Sequence, residues 1–429
     1  MGEDLSRILA SRLPAEALEV LGAVGEIALE ASSQAYLVGG VVRDLLLKRE
    51  TRDLDVVVVG DARQLAGKLG ARFGAQVRLH KAFHTAVVSF ADGLRLDLAT
   101  ARSEHYPNPG ALPEVTPGEI RQDLFRRDFT VNTLAIRLTR PGYGELLDFF
   151  QGRKDLDARK IRVLHELSFQ EDPTRVFRAV RLAVRLDFEI SWRTTHLIRS
   201  ARREDVFRKL SSRRLGREIE LVLEEGHVTR STRMLALFDL LSVIHPEIRA
   251  TETTYASLER AEKTLRWYRK LGRRDVGRSW PITLGVLAMG LDAESREEML
   301  RRLRPDREAR EILGDGPDAV ARVVSGLVAS RPLLRSRVHE VCREHSSEIL
   351  LLTMSLTERE EVRRSLVLYL SELCDVEPDI GGKDLLRAGV PEGPLVALGL
   401  RAALWAKLDG KAPDRRGQLA EALAVARSA

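Results

Sequence analysis

The chain has 429 residues, of which 44% are hydrophobic and 31% charged, and its formal net charge is +6 at pH 7. This length allows about two to four domains with a sizeable core, and the basic excess fits a polyanionic partner better than an acidic one. Only two cysteines, Cys342 and Cys374, are present, which excludes a disulfide framework and favours a reducing cytoplasm. The first residues are unlike a signal peptide and no apolar run is long enough to cross a membrane, so we expect no membrane partner.

In chain order, the apolar spacing predicts helix over residues 5–31 and then a mixture of strands and helices over about 35–150. The mixed region has one predicted helix at 61–73, with Asp61 as its N-cap, and a hairpin signal at Asp92-Gly93. The predicted strands span residues 36–38, 53–59, 76–80, 85–90 and 94–99. Antiparallel strands of this kind predict a mixed α+β catalytic domain.

Two later regions differ in character. Residues 102–120 carry Pro107, Pro109, Pro113 and Pro117, a density that predicts a long surface loop without regular structure. Beyond Glu171, apolar residues recur at helical spacing to the end of the chain, so roughly the last 60% should be helical.

The first chemistry-bearing motif joins two glycines, an arginine and two carboxylates. Gly39 and Gly40 let the backbone approach a ligand at the start of a helix, where free N–H groups attract an anion, and Arg43 adds a positive charge. Asp53 and Asp55 are two residues apart on a strand, so they share a face. Neighbouring carboxylates repel and raise a pKa unless a cation lies between them, and hard oxygen ligands near phosphate suit Mg²⁺.

Each part of this motif also has an ordinary explanation. A pair of aspartates is more often a solvated strand end than a metal site, and a pair of glycines is usually only a turn. Their conjunction within one short segment is what favours a site for a nucleoside triphosphate and a metal.

The second motif runs from Arg126 to Asn132. Arg127, Asp128 and Asn132 suit contacts to triphosphate and ribose hydroxyls, whereas the alternative is a helix start capped by Asp128 or Thr130. Residues 148–156, which follow it, are predicted as a strand end and a turn.

The third motif spans residues 171–181. Asp172 before Pro173 predicts a helix start, and Arg175, Arg178 and Arg181 follow at three-residue spacing, so they share much of one helix face. For Arg178 and Arg181, a solvated basic face is an equally good explanation.

In this order, Gly-Gly-x-Val-Arg-Asp, Asp-x-Asp, Arg-Arg-Asp-Phe-Thr-x-Asn and Glu-Asp-x-x-Arg resemble the class II tRNA nucleotidyltransferases. These are the CCA-adding enzymes and their CC-adding and A-adding relatives in the polymerase-beta superfamily, and bacterial poly(A) polymerases share the same head. The match covers about residues 36–220. The resemblance implies a nucleotidyltransferase head with a mixed sheet, followed by an all-helical neck, body and tail.

The resemblance also implies roles for single residues. Asp53 and Asp55 would hold catalytic Mg²⁺ ions, with Asp97 as a third carboxylate or, equally, an exposed strand residue. The residues implied to bind the nucleotide are Gly39, Gly40, Arg43, Arg127, Asp128, Asn132, Asp172, Arg175 and Arg178.

The family uses Glu-Asp-x-x-Arg as a protein template for the incoming base. Asp172 can accept from the amino group of cytosine or adenine while Arg175 donates to the ring nitrogen, and uracil and guanine reverse both groups. Glu171 is expected to position Arg175.

The implied organisation is an N-terminal helical segment (1–34), a catalytic head (35–150), a helical neck with the template motif (151–225), and a body and tail for tRNA binding (226–429). Dense basic residues at 199–217 and the run Arg266-Trp267-Tyr268-Arg269-Lys270 suit RNA contacts, although a salt-bridged helix surface explains most of them equally well.

The expected function is therefore template-independent synthesis or repair of the tRNA 3′-terminal CCA from CTP and ATP. Glu104, Tyr106 and residues 109–113, together with the Asp-Pro-Thr-Arg wording of residues 172–175, resemble the A-adding subtype most, and that subtype would need a separate CC-adding enzyme as partner. The alternatives are a full CCA-adding enzyme, a CC-adding enzyme and a poly(A) polymerase. From a different class, the alternative is a catalytically silent RNA-binding module.

Overall fold

The computed structural model describes residues 3–51, 53–80, 84–105, 114–329 and 334–428. The chain divides into two compact units, Met1–Leu215 and Gly216–Ala429. Within the described residues, none of the helices is both long and apolar enough to span a membrane.

The first unit opens with two helices, α1 (Ser6–Arg12) and α2 (Ala15–Glu30), which confirms helix over 5–31 with one interruption. The break falls at Pro14, which lacks a backbone N–H and adopts an extended conformation before α2. One face of α2 is buried, including Val20, Leu21 and Val24.

A seven-stranded mixed sheet forms the centre of this unit, with the strand order β3-β4-β5-β2-β1-β8-β9. Strands β2 and β5 are parallel, and the other pairs are antiparallel. The strands are β1 (Gln34–Val38), β2 (Asp53–Val59), β3 (Gln76–His80), β4 (Thr85–Ser89), β5 (Arg95–Thr100), β8 (Ala135–Arg137) and β9 (Leu146–Leu147). The predicted α+β fold and its five predicted strands are confirmed.

The alternation of β2 explains how it carries the candidate site. Leu54 and Val56 are 1% exposed and face the core, whereas Asp53 and Asp55 lie on the opposite side of the strand. Helices α3 (Gly40–Leu46) and α4 (Ala62–Phe73) flank the strand, and Asp61 caps α4 by accepting from two backbone N–H groups, as predicted.

The prediction that residues 102–120 lack regular structure is wrong. Strands β6 (Arg102–His105) and β7 (Glu114–Pro117) form a separate two-stranded antiparallel sheet, and Ser103 and Thr116 share a side-chain hydrogen bond of 2.7 Å. Pro117 is the last residue of β7, where a missing N–H costs little, so it ends the strand and does not prevent it. Helix α5 (Ile120–Phe125) follows. Tyr106 and residues 109–113, on which the subtype prediction depends, lie outside the described residues.

The prediction of a strand end and turn over 148–156 is wrong for its second half, which forms helix α6 (Gly152–Asp157). The Asp148 carboxylate accepts from the backbone N–H groups of Gly152 and Arg153 at 2.7 and 3.0 Å and so starts the helix. A Cβ atom on Gly152 would lie 2.3 Å from the Thr130 carbonyl oxygen, so only glycine allows this approach.

The rest of the first unit is mostly helical, which confirms the prediction for this region. The short strands β10 (Lys160–Ile161) and β11 (Glu189–Ile190) pair in parallel. The helices are α7 (Ser168–Glu171), α8 (Thr174–Leu186), α9 (Trp192–Arg203) and the 3-10 helix Val206–Lys209.

From residue 212 onward, all regular elements of the described chain are helices. They are α10 (Ser212–Glu224), α11 (Val228–Leu237), α12 (Leu241–Ile244), α13 (Glu252–Lys270), α14 (Trp280–Ala288), α15 (Ala293–Leu303), α16 (Arg307–Val328), α17 (Arg335–Cys342), α18 (Ser347–Leu356), α19 (Glu360–Leu368), the π-helical turn Tyr369–Leu373, α20 (Gly382–Arg387), α21 (Pro394–Leu408) and α22 (Arg415–Ser428).

Tyr268 in α13 does not serve as a stacking surface for RNA. It is 2% exposed, and its hydroxyl donates to the Asp275 carboxylate at 2.8 Å. Burial raises the pKa of Tyr268 to about 12, so the hydroxyl remains a donor. Of the two aromatic residues in this basic run, Tyr268 therefore belongs to the core of the second unit, whereas Trp267 is partly exposed.

Candidate active site

One cavity of the first unit, with a volume of about 860 Å³, brings together most of the residues predicted to form a site. The predicted residues in its wall are Gly40, Arg43, Asp55, Asp97, Arg127, Asp128, Asn132, Asp172, Arg175 and Arg178. Asp53 and Gly39, which are outside the wall, are next to Asp55 on β2 and to Gly40 at the start of α3.

The carboxylates predicted to bind a metal come from two neighbouring parallel strands. Asp55 on β2 is the register partner of Asp97 on β5, and Asp53 is the partner of Arg95. Loss of hydration raises the pKa of Asp55; Arg127 opposes this shift, and the charges of Asp97 and Asp53 add to it. Arg95 donates to Asp97 at 3.0 Å. The raised pKa was expected for paired carboxylates, although Asp97 contributes more to it than Asp53 does.

These carboxylates have the chemistry of a divalent-cation site. Loss of hydration and the nearby charges of Asp97 and Asp53 raise the pKa of Asp55, and a bound cation would favour its ionised form. The oxygen-only donor set suits a hard ion. Within the described part of the chain, no group of three or more metal-ligating side chains is already drawn together.

The backbone conformation at position 39 favours glycine, and the Arg127 guanidinium lies close to it. The φ of Gly39, 73°, lies in the left-handed region, and a Cβ atom there would be 2.6 Å from Nη1 of Arg127. Nη2 of Arg127 donates to Asp123 at 3.2 Å. Nε of Arg127 is buried and has no hydrogen-bond partner among the described residues, so this cation has donor capacity for a ligand in the cavity.

Arg43, from which the sequence predicts a fixed positive charge, is held by side chains of its own chain. It is 6% exposed, and its guanidinium is bidentate with Asp44 at 2.9 and 2.8 Å. Its Nη1 also donates to Oδ1 of Asn132 at 2.6 Å. Arg43 therefore fixes the orientation of the Asn132 amide, and much of its charge is balanced by Asp44.

Asp128 connects the pair Arg43–Asn132 to helix α8, which carries Arg178. It accepts from the Asn132 amide at 2.9 Å and from Nε and Nη2 of Arg178 at 2.9 and 2.6 Å. Burial opposes ionisation, but Arg178 and the Asn132 amide outweigh it, so the pKa of Asp128 lies below its ordinary value. The solvated-face alternative is wrong for Arg178. The helix-start alternative is also wrong, because only a 3-10 turn, Thr130–Asn132, follows and no side chain caps it.

Asp172 and Arg175 lie in the same cavity wall with defined partners. Oδ1 of Asp172 accepts from the Thr174 hydroxyl at 2.6 Å and from Arg214 at 2.7 Å, whereas Oδ2 accepts no hydrogen bond within the described residues. Arg175 is 4% exposed and donates to Ser168 Oγ at 2.9 Å and to the Arg126 carbonyl at 2.7 Å.

Glu171 has a different partner from the one expected. Its carboxylate lies 3.4 Å from Nε2 of His165. Arg175 instead donates its hydrogen bonds to Ser168 and to the Arg126 carbonyl. Burial raises the pKa of Glu171, and the charge of Arg175 partly offsets the shift. Glu171 therefore acts on Arg175 through charge and not through a hydrogen bond.

Sequence reasoning missed Asp123, which is fully buried and holds both arginines of the second motif. It accepts from Arg126 at 2.7 Å and from Arg127 at 3.2 Å. Its position three and four residues before them is the signal that could have found it, since this spacing brings side chains together on a helix. Glu104, which pairs with Arg126 at 3.1 Å, and Arg214 have no such local signal.

The chain is similar to known proteins in both sequence and fold. The sequence family described as the poly A polymerase head domain matches residues 35–162. The A-adding tRNA nucleotidyltransferase of Geobacter sulfurreducens is 37% identical over 99% of this chain and 49% of its own length. The chain thus spans about half the length of that curated relative.

Two solved structures match nearly the whole chain. A CCA-adding enzyme in an apo form is 31% identical with a TM-score of 0.82, over 98% of this chain and 99% of that one. The Thermotoga maritima CCA-adding enzyme complexed with tRNA is 30% identical with a TM-score of 0.79, over 98% of each chain. Enzymes with this head are generally metal-dependent. The chain therefore belongs to the class II tRNA nucleotidyltransferases.

Proposed function

We propose that this protein adds nucleotides to the 3′ end of tRNA, releasing pyrophosphate, and that it is of the A-adding subtype with ATP as substrate. The observation that carries the proposal is the convergence, in one cavity, of the Asp55–Asp97 carboxylates, the buried donor of Arg127 and the Asp172–Arg175 pair. The name of the Geobacter sulfurreducens relative supports the A-adding subtype.

The carboxylates are proposed to hold Mg²⁺, with Asp53 and Asp55 as ligands and Asp97 beside them. When bound, the ion supplies activation of the tRNA 3′-hydroxyl and neutralises charge on the α-phosphate and the departing pyrophosphate. The juxtaposition of Asp55 with Asp97 across the β2–β5 pair supports this assignment, because a cation would offset both the loss of hydration that raises the pKa of Asp55 and the repulsion from its acidic neighbours.

The arginine and asparagine side chains are proposed to hold the nucleotide. Nε of Arg127 is placed to donate to phosphate oxygens, because it is buried in the cavity wall without another partner in the described chain. Asn132, whose amide is fixed by Arg43 and Asp128, is placed to bind the sugar. Arg178 supports this group by holding Asp128 ionised.

The base is proposed to be selected by Asp172 and Arg175. Oδ2 of Asp172 has no hydrogen-bond partner among the described residues and can accept from the adenine amino group. Arg175 then donates to the ring nitrogen. A guanine or uracil carbonyl would face the carboxylate, leaving buried polar groups unpaired.

The remaining partners and the organisation are proposals of the same kind. An A-adding enzyme requires tRNA already ending in CC, so a separate CC-adding enzyme is the expected partner. We also propose the division into segment 1–34, head 35–150, neck 151–225 and tRNA-binding body and tail 226–429. We also propose a reducing cytoplasm as the compartment, which fits the two free cysteines. Burial raises the pKa of the Cys342 thiol to about 12, so this side chain stays protonated.

The proposal is tested by incubating the protein with ATP, Mg²⁺ and a tRNA ending in CC, and by resolving the product at single-nucleotide resolution. We expect one adenosine to be added, and Asp53→Asn and Asp55→Asn to reduce the rate by at least about a thousandfold, because each removes a metal ligand. Glu19→Gln, an exposed carboxylate on α2, serves as the matched control with an unchanged rate. A long adenosine tract would favour poly(A) polymerase, and an inactive wild-type chain that binds tRNA would favour the silent RNA-binding module.

A further inference from the structure

The 3-10 turn Thr130–Asn132 carries Asn132, and a buried carboxylate outside the active-site cavity holds this turn. Thr130 is 3% exposed, and its hydroxyl donates to Oδ2 of Asp155 at 2.6 Å. Asp155 lies on α6, 25 residues farther along the chain, and is 2% exposed. Neither residue lines the cavity, so this contact acts on the site only through the turn.

Arg162 balances the charge of Asp155 and holds Thr130 a second time. Its Nε and Nη2 donate to Oδ1 of Asp155 at 3.1 and 3.0 Å, and Nε also donates to Oδ2 at 2.9 Å. The Arg162 carbonyl oxygen accepts from the backbone N–H of Thr130 at 2.9 Å. Both the backbone and the side chain of Thr130 are therefore fixed by the Asp155–Arg162 pair.

This arrangement is better explained by position than by stability. A buried ion pair contributes little more to stability than apolar packing of the same volume would, because desolvation offsets the attraction of the charges. The turn has only three residues, so fixing Thr130 also fixes the backbone of Asn132. Arg43 and Asp128 determine the direction of the Asn132 amide, whereas Asp155 determines where the backbone that carries it lies.

We propose that Asp155 is a positioning residue for nucleotide binding: through Thr130, it places Asn132 where its amide can bind a ribose hydroxyl. This inference rests on the proposed function, in which Asn132 binds the sugar. Among the described residues, the amide uses one N–H toward Asp128 and one lone pair toward Arg43, so a donor and an acceptor remain for a hydroxyl. A displacement of about 1 Å is enough to lose such a hydrogen bond.

The test removes the hydrogen bond between Thr130 and Asp155 and measures the sugar preference, defined as the ratio of kcat/KM for ATP to that for 2′-deoxy-ATP or 3′-deoxy-ATP. Thr130→Val replaces the hydroxyl by a methyl group, and Thr130→Ser keeps the hydroxyl. Asp157→Asn, which changes an exposed carboxylate on the same helix, is the matched control. In single-nucleotide addition to tRNA ending in CC, we expect Thr130→Val to lower the sugar preference against at least one analogue about tenfold, the effect of one lost hydrogen bond. Thr130→Ser and Asp157→Asn should keep the wild-type value.

Two further measurements separate positioning from a general loss of structure. The preference for ATP over GTP should be unchanged in Thr130→Val, because Asp172 and Arg175, which are proposed to select the base, lie on another segment of the chain. Thermal unfolding identifies the variants that fold. Asp155→Asn is the second variant, since its amide places a donor against Thr130 or Arg162, which are also donors, and it should lower the sugar preference as well.

The outcomes that overturn the inference differ from the one that also contradicts the proposed function. If the folded variants keep the wild-type sugar preference, or lose base preference to the same extent, Asp155 does not position Asn132 and the proposed function stands. If the wild type adds neither ATP nor either analogue to the tRNA, the proposed function is contradicted together with the inference.

Discussion

At the scale of single residues, the site is a set of charges that the fold holds close together without a bound ligand. The line from Asp44 through Arg43, Asn132 and Asp128 to Arg178 is fully hydrogen-bonded, so it positions side chains without needing substrate. Asp55 is the opposite case, because its surroundings disfavour its charge. The hydrogen-bonded groups are therefore satisfied in the chain itself, whereas the folded chain disfavours the ionised form of Asp55, the proposed metal ligand.

Asp55→Asn should stabilise the metal-free protein at pH 7 although it abolishes activity. The pKa of Asp55 is raised on folding, so ionisation of this carboxyl group destabilises the folded state. The destabilisation is complete once the pH exceeds the pKa in the folded state, and it is absent below the pKa in the unfolded state, which is near 4. We expect the variant to unfold a few degrees above the wild type at pH 7 with EDTA, and the difference to vanish towards pH 3. Glu19→Gln is again the control, and an Asp55→Asn melting temperature below that of the wild type would contradict the raised pKa of Asp55.

Asp172→Asn should weaken base selection more than folding. The side-chain oxygen of the asparagine will face Thr174 and Arg214, because both are donors. Its amide N–H₂ group then takes the place of Oδ2, so a donor replaces the acceptor that faces the base. We expect the ratio of ATP to GTP incorporation to fall by at least about tenfold, measured as single-nucleotide addition with each triphosphate. Thr174→Val removes the 2.6 Å contact to Oδ1 and spares Oδ2, so it should keep its selectivity. Unchanged discrimination in Asp172→Asn would rule out a template role for this carboxylate.

At the scale of elements, close backbone contacts fix where helices lie on the sheet. A Cβ atom on Gly25 of α2 would lie 2.1 Å from the Leu138 carbonyl oxygen, just beyond β8, whereas one on Gly22 of the same helix would meet nothing within 4 Å. Gly25→Ala should therefore destabilise the fold by about 1–3 kcal/mol, and Gly22→Ala should stabilise it by about 0.5–1 kcal/mol.

The two glycine variants form an internal comparison, because they change the same helix by the same group. Urea unfolding midpoints measure both. Equal effects of the two substitutions would show that α2 does not approach the sheet as closely as the Gly25 contact requires.

Elements whose signal lies in neighbouring residues could be predicted from the sequence. Elements that depend on contacts outside the segment itself could not. The buried alternation of β2 and the Asp61 cap of α4 follow from neighbouring residues. The short sheet β6–β7 was missed because pairing between Arg102 and Pro117 is not visible in a count of prolines. Helix α6 was missed because the carboxylate that accepts from its first N–H group belongs to Asp148, four residues before the helix begins at Gly152.

The same distinction holds for the site. The glycine, Asp-x-Asp and Arg-Asp motifs could be recognised because each is a short segment, and the structure gathers nearly all of their residues in one cavity. The pairing of Arg43 with Asn132, of Asp128 with Arg178 and of Arg214 with Asp172 joins segments that are far apart in the sequence. Partners of this kind depend on the tertiary fold, so residue types alone do not reveal them.

At the scale of the whole molecule, the chain consists of a first unit that contains the candidate active site and a helical second unit, and its net charge is +6. Solved relatives match 98% of this chain, whereas the Geobacter sulfurreducens relative is about twice as long. A direct assay of substrate and subtype therefore tests the proposal at this scale.

The most direct test offers the protein three tRNAs, ending before CCA, after the first C and after CC, with Mg²⁺ and with CTP or ATP separately and together. The account predicts that one adenosine is added to the tRNA ending in CC and that CTP is not incorporated into any of them. Full CCA synthesis on the shortest tRNA would make the subtype wrong. No incorporation into any of the three would contradict the central claim that this cavity transfers nucleotides to tRNA.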